Sequence, residues 1–264
     1  MIEIKKLHKT FNRGDVNEIR AIRGINLSIE PGEFVTVIGS NGAGKSTMLN
    51  LLAGTYIPDN GEILIADRNV TRWPEHHRAK LIGRVFQDPL KGTAGSMSIE
   101  QNMAMALLRG KRRGLRMGVS RKERDHFRAE LSQLGMGLEG RLGSKVSLLS
   151  GGQRQALTLL MATLVKPRVL LLDEHTAALD PGMAEQISQI TARVVREHNL
   201  TTLMVTHNMH QALNMGTRTL MMHQGEVILD LRGEERARMT VNDLISKFSE
   251  IRKEAALDDK LLLS

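Results

Sequence analysis

The stretch Gly39 to Thr47 (GSNGAGKST) concentrates the residue types that do chemistry on phosphates. It fits GxxxxGK[ST], the spacing of a P-loop. It lies between an apolar strand-type run, Phe34 to Ile38, and a helix-type run, Met48 to Ala53, as such a loop requires. Gly39, Gly42 and Gly44, with Ser40, Asn41 and Ala43 between them, let the backbone form a nest of N–H donors around phosphate oxygens. The helix that follows adds its positive N-terminal dipole. Lys45 supplies a point charge for β- and γ-phosphates, the Ser46 hydroxyl can hold Mg²⁺, and Thr47 completes the motif. A second stretch, LLSGGQRQ from Leu148 to Gln155, repeats this physics, because Ser150, Gly151 and Gly152 open a helix whose N–H groups and hydroxyl form another anion site. The two grips fall in different lobes. A two-fold dimer, with the P-loop of one copy facing Ser150 of the other across a shared nucleoside triphosphate, uses both.

The elements that position these grips follow from periodicity and turn chemistry. Ile2 to Leu7 and Ala21 to Ile29 read as strands around a polar loop, Asn12 to Glu18, so the N-terminal part is antiparallel. Pro31-Gly32 turns the chain into the strand before the P-loop, and the helix after it ends near Gly54. Pro58-Asp59-Asn60-Gly61 is a turn from which Glu62 to Ile65 returns as a strand, and strand Ile82 to Phe86 stops at Gln87-Asp88-Pro89. From Ser98 to about Leu142 the pattern is helical. Ser98 is an N-cap three residues before Gln101, and a second helix spans Ser120 to Leu134. This section, about 88–150, reads as a helical subdomain inserted into an α/β core. Helix Ser150 to Val165, strand Val169 to Leu172, helix Met183 to Glu197, strand Thr202 to Thr206 and strands around Thr219 to Met222 and Val227 to Leu231 complete a mostly parallel sheet. The expected organisation is one unit over 1–232 with a helical tail over 233–264, its surface helices running from Thr240 to about Leu257.

With 264 residues the chain can hold one well-buried core and a smaller subdomain, but not two such units. It has no cysteine, which excludes disulfides and thiolate-bound zinc and fits a reducing compartment. MIEIKKLHKTF alternates like a strand and lacks a signal-peptide core, and no apolar run approaches the roughly 18 residues of a membrane span. A soluble or peripheral protein is expected. The net charge is +8, and Arg109 to Arg128 carries nine Lys or Arg. Nucleic acid and an anionic membrane leaflet, worth about 1 kcal/mol per basic side chain, both fit that stretch. With aromatics at 3% there is no base-stacking platform, so no nucleic-acid partner is expected. Met103 and Met105 read as core of the helical subdomain and His76-His77 as solvated. His210 follows His207 by three residues without a third metal ligand in view.

LSGGQ downstream of a P-loop resembles the signature of ATP-binding cassette proteins, and the resemblance covers roughly Ile2 to Leu231. It implies a P-loop NTPase (RecA-like) core. In Arg168-Val169-Leu170-Leu171-Leu172-Asp173-Glu174, which resembles Walker B, a buried strand would deliver Asp173 to a Mg²⁺ shell shared with Ser46 and Gln87, and Glu174 would act on the attacking water. Gln87 matches the Q-loop glutamine, Ala178-Leu179-Asp180 the D-loop, and His207 the switch histidine that contacts the γ-phosphate. Ser150, Gly151, Gly152 and Gln153 match the signature that works in trans, and Phe11 falls where the family usually stacks an aromatic on adenine. His175 departs from the pattern, which commonly has proline there, and could alter the rigidity of the D-loop.

By this resemblance the chain is the ATPase subunit of a membrane transporter. It would use ATP and Mg²⁺ and work as a pair at the cytoplasmic face of the membrane, with permease subunits and a solute-binding protein. GRVFQDP, DEHTAALDP and LTTLMVTHNM most resemble importer-type ATPases, some linked with aromatic amino acids. Cassettes acting on the ribosome or nucleic acid, and mechanical or signalling cassettes bound to membrane proteins, are the competing readings.

Overall fold

The computed structural model describes residues 1–111 and 118–250. Strand β1 (Ile2–Phe11) pairs antiparallel with β2 (Ile19–Ile29), and β3 (Phe34–Gly39) leads through the P-loop into α1 (Lys45–Ala53). Then come β4 (Asn60–Ile65), β5 (Arg68–Asn69), the single turn α2 (Glu75–Arg78) and β6 (Ile82–Val85). The helical section holds α3 (Ile99–Leu107), α4 (Arg121–Ser132) and α5 (Gly151–Thr163). It is followed by β7 (Val169–Asp173), α6 (Pro181–Glu197), β8 (Thr201–Val205), α7 (Met209–Asn214), β9 (Arg218–His223), β10 (Glu226–Arg232) and α8 (Gly233–Arg238).

Two sheets result, an antiparallel one in the order β2-β1-β4-β5 and a mixed one in the order β10-β9-β3-β8-β7-β6. In the mixed sheet β9, β3, β8, β7 and β6 are parallel and only β10 runs antiparallel, against β9. Crossover helices cover both faces of the parallel strands, which is why they are continuous apolar runs rather than alternating ones. Val35, Val37, Leu171 and Val205 point into a core shared with the antiparallel sheet and α1, while Leu170, Leu172 and Met204 point into a second core shared with α3, α4, α5 and α6. The loops that could do chemistry therefore leave from the C-terminal ends of strands whose register both cores fix.

Local sequence starts the helices. Ser98 with Gln101, Ser120 with Glu123 and Ser150 with Gln153 each form a capping box, and Asp180 caps α6 ahead of Pro181 at its first position. Met103 is fully buried, as expected, but Met105 is 39% exposed. Residues two apart on a helix lie on nearly opposite sides, so the two methionines cannot share one core face. The basic stretch is not one free surface. Arg109 is half-buried with Nη2 donating to Ala162 O, Arg124 pairs with Glu100 at 2.7 Å, and Arg128 pairs with Asp125 at 3.0 Å. Its middle, 112–117, lies outside the described residues. Among the described residues no helix is long and apolar enough to cross a membrane. The expected tail helix appears over 241–250, preceded by α8, and its continuation to Leu257 lies outside the described residues.

Candidate functional site

β3 ends at Gly39, and the backbone there allows no side chain. Its φ is +151°, and a Cβ would fall 2.2 Å from Met222 O on β9. Gly44 has φ +97°, and a Cβ would fall 2.4 Å from Ala21 O on β2. The loop is thus packed onto strands of both sheets. Gly44 caps α1 without any side-chain hydrogen bond, and the first turn carries no acid. The helix N-terminus keeps its unsatisfied N–H groups and partial positive charge for an anion. Lys45 is buried, with Nζ donating to Gly39 O at 2.8 Å and Ser40 O at 3.0 Å, so the ammonium sits within the curve of the loop. Burial pulls its pKa below the ordinary lysine value, against the charges of Glu174 and Asp173, which hold it up.

Asp173 ends β7, and burial pushes its carboxyl up from the usual range while the Arg84 guanidinium counters. Arg84 Nη2 lies 3.4 Å from Asp173 Oδ2 and donates to Asn50 Oδ1 at 2.8 Å, while the guanidinium stacks 4.5 Å from the Phe86 ring. Nothing in the run Ile82 to Phe86 marks Arg84 except that it is the one charge in an apolar strand. That oddity is the signal that could have found it. Gln87, Arg84, Asp88, Lys91 and Asp173 line an open cleft of about 660 Å³.

Glu174 adopts φ +43°, with its N–H donating to Val205 O at 3.0 Å. A left-handed non-glycine residue costs about 1–3 kcal/mol and persists only where its surroundings over-determine it. Its Oε2 lies 3.3 Å from Nδ1 of His207, which follows β8 and is mostly exposed. Next in sequence, His175 is fully buried, its Nε2 3.1 Å from Thr191 Oγ1 on α6. Thr191 Oγ1 donates to Ile187 O, so it accepts from His175 Nε2–H. Burial pulls this histidine down to about 4 and keeps it neutral. Where the resembled pattern commonly has proline, His175 therefore ties the segment after Glu174 to α6.

The remaining candidates lie elsewhere. Ser150 Oγ accepts from Gln153 N and Gln153 Oε1 from Ser150 N, closing a capping box at the tip of α5 in the helical section. Gly151 is exposed, and Gly152 is buried against Met183. Asp180 Oδ1 accepts from Met183 N at 3.0 Å, so it serves α6 as a cap. Phe11 meets Tyr56 edge-to-face at 5.2 Å, a partner that sequence reading missed, and Lys9 Nζ lies 5.6 Å from its ring centre. The structure thus gathers Lys45, Asp173, Glu174 and His207, and among the described residues no hydrogen bond or ion pair joins the signature or Phe11 to them. The oxygen donors Ser46, Gln87 and Asp173 suit a hard cation. Among the described residues no cluster of three His, Cys, Asp or Glu could hold an ion unaided. That oxygen donor set fits Mg²⁺.

A P-loop after β3 and an apolar-strand carboxylate at the end of β7, two strands of the same parallel sheet with β8 between them, define a P-loop NTPase. The chain belongs to the ABC transporter family, whose model, described as "ABC transporter", matches residues 22–177. It is an ATP-hydrolysing transporter subunit. It is similar to the tyrosine transport ATP-binding protein of Clostridioides difficile (strain R20291), 43% identical over 250 residues, 94% of this chain and 98% of that one. Methionine import ATP-binding protein MetN 2 of Enterococcus faecalis is 32% identical over 86% of this chain, which spans 64% of that protein's length. Among solved structures, the dimeric post-hydrolysis state of the ATP-binding cassette MJ0796 bound to ADP and Pi superposes with a TM-score of 0.75. That cassette is 30% identical, over 88% of this chain and 98% of its own.

Proposed function

We propose that this chain is the ATPase of a bacterial importer of a small solute, an amino acid in the first instance, acting as a pair on the cytoplasmic face of the membrane. The observation that carries the site reading is the meeting of Lys45, Asp173, Glu174 and His207 where β3, β7 and β8 end side by side. Similarity over nearly its full length to a tyrosine transport protein supports the solute class. Residues 1–232 act as one ATPase unit, with 88–150 as an inserted helical arm and 233–264 as a tail.

In this reading the backbone N–H groups from Gly39 to Thr47 bind the phosphates and Phe11 stacks on the adenine. Lys45 releases the Gly39 and Ser40 carbonyls to take up β- and γ-oxygens. Ser46, Asp173 and Gln87 hold Mg²⁺, which when bound neutralises phosphate charge. Glu174 accepts a proton from the attacking water and His207 orients the γ-phosphate. A carboxylate base contributes about 10²- to 10⁴-fold. Ser150, Gly151, Gly152 and Gln153 of a second copy close over the nucleotide beside the D-loop Asp180. Gln87 and the segment 88–98 pass the closing motion to permease subunits, and a solute-binding protein delivers the solute.

The test is a pull-down of tagged Glu174→Gln, which binds ATP but turns over slowly, from detergent-solubilised host membranes with Mg-ATP. A multi-span permease in the eluate, with a solute-binding protein encoded beside it, is the expected result. Ribosomal proteins or nucleic acid without an integral membrane partner overturn it. A membrane partner with no continuous transmembrane path favours the mechanical reading, which draws support from 34% identity to the lipoprotein-releasing ATP-binding protein LolD of Syntrophus aciditrophicus.

A further inference from the structure

Gln211 sits in the first turn of α7, four residues after His207, and its amide is used in full. Oε1 accepts from Thr206 Oγ1 at 2.7 Å, and Nε2 donates to Thr176 Oγ1 and to Ser188 Oγ, both at 3.0 Å. The neighbours fix these directions. Thr206 Oγ1 accepts from Asn208 N–H at 3.1 Å and faces Gln211 Oε1, which can only accept, so its own proton goes to Gln211. Ser188 Oγ gives its proton to Ala184 O at 2.8 Å, so toward Gln211 it can only accept. The Gln211 backbone N–H donates to Asn208 Oδ1 at 3.0 Å, which locks the side chain's base to the same turn. One amide therefore joins three separate pieces: the segment that carries His207, the segment that follows Glu174, and helix α6.

The direct Glu174–His207 contact cannot hold that geometry alone. It is a single 3.3 Å contact, and the histidine is 61% exposed, so water competes for both partners. The Gln211 contacts are better shielded, since Thr206 and Thr176 are buried. Their geometry also makes them hard to replace, because an apolar residue of the same size would strand the Thr176 and Thr206 hydroxyls.

We propose that Gln211 is a positioning residue for hydrolysis: it sets the separation of His207 from Glu174 and carries any displacement of the D-loop, through Thr176, to His207. The proposal rests on the reading of Glu174 and His207 as the hydrolytic pair. Among the described residues no hydrogen bond or ion pair joins this network to the P-loop, so its effect is expected in the chemical step rather than in nucleotide affinity.

The experiment measures steady-state ATPase and nucleotide affinity for Gln211→Met, Gln211→Glu and Thr176→Val, and for Gln211→Met combined with His207→Ala. In Gln211→Met the expected loss is about 10- to 100-fold in kcat, the size of an ångström-scale misplacement, with nucleotide affinity unchanged. Gln211→Glu keeps acceptors toward both threonine hydroxyls and should recover part of the rate. Thr176→Val removes one contact from the other end and should lose part of it. Combined with His207→Ala, Gln211→Met should add no further loss, because it acts through that histidine. Wild-type kcat in Gln211→Met, a loss confined to nucleotide affinity, or a loss that adds to that of His207→Ala overturns the proposal. If Gln211→Met does not fold, Thr176→Val, alone and combined with His207→Ala, decides it by the same kcat and additivity criteria. His207→Ala and Glu174→Gln as single variants test the pair itself. Full turnover in both removes the site reading and this inference with it, whereas failure of the Gln211 variants alone leaves that reading standing.

Discussion

Replacing Gly151 by alanine separates what holds α5 in place from what α5 presents. A Cβ at this position meets only Leu179 Cδ2, at 3.6 Å, an ordinary van der Waals contact. Gly151 is the first residue after the Ser150 cap. In a helix interior alanine is favoured over glycine by about 0.8–1 kcal/mol, and in the first turn by roughly half of that, so the fold should gain about 0.5 kcal/mol. If a second copy's nucleotide approaches the N–H groups at this tip, the added methyl keeps a phosphate oxygen off them. Losing one such donor typically costs about 10²- to 10³-fold in rate, or roughly 2.7–4 kcal/mol. Stability and turnover should therefore move in opposite directions, which a merely structural glycine cannot produce. Urea unfolding gives the first quantity, and ATPase rate against protein concentration gives the second. Nucleotide affinity of the monomer, which uses the untouched P-loop, should stay constant. Turnover within about twofold of wild type, far below that expected loss, would refute the reasoning. Gly152 is the wrong glycine for this test, because a Cβ there falls 2.2 Å from Met183 Cγ and Sδ and any loss would include repacking.

Two further outcomes are expected. Ser150→Arg and Lys45→Ala should each abolish turnover alone, yet mixing the two should restore measurable ATPase, because a mixed dimer contains one composite site with both grips intact. No recovery where heterodimers are seen by native mass spectrometry argues against a shared nucleotide. At the start of β9, the buried Arg218 grips Asp230 through two 2.7 Å hydrogen bonds and reaches Ser28 O. Burial raises the Asp230 pKa, but the bonds to Arg218 and Arg232 outweigh it and hold the group down at about 2. A carboxylate with a depressed folded-state pKa stabilises above its unfolded value, near 3.9, and the gain fades as pH falls through about 2. Because the side chain is about one-third exposed, roughly 1–2 kcal/mol is expected. Asp230→Asn should cost that amount at pH 7 in urea titrations, and the gap should close toward pH 2. A gap independent of pH contradicts the assignment.

What could be read from the sequence was what local physics fixes. The P-loop glycines, the apolar strands and the Ser98 cap are set by residues close to one another in the chain, and each stands where expected. The partners of Arg84 and Gln211 were not readable for the opposite reason, although the lone charge of Arg84 in an apolar strand marks the residue itself. The partners of Arg84 are Asn50 and Asp173, and those of Gln211 include Thr176 and Ser188, residues that only the completed sheet and its crossover helices bring together. The single-turn α2, the two-residue β5 and the six-residue α7 are too short to leave a period. The misplacement of Met105 came from treating two neighbouring methionines as one apolar patch, where helical spacing puts them on different faces. Asp180 had a D-loop match, but its second use, capping α6 ahead of Pro181, could be read from the Asp-Pro pair itself.

One helix meets more of the candidate site than any motif suggests. Along α6, Asp180 caps the first turn, Met183 packs under Gly152 of the signature, Ser188 receives the Gln211 amide, and Thr191 holds His175 beside Glu174. These contacts span three turns of a helix seventeen residues long. A proline at 175 would fix its own φ but offer α6 no hydrogen bond. Histidine reverses that choice: it leaves the backbone freer and ties it through a buried ring to the same helix that Gly152 packs on and Gln211 bonds to. Under the proposed function, a displacement at Gly152 that carries Met183 with it is expected to be felt at His175, beside Glu174, and at Gln211, in the turn after His207, because both bond to the helix that Met183 belongs to.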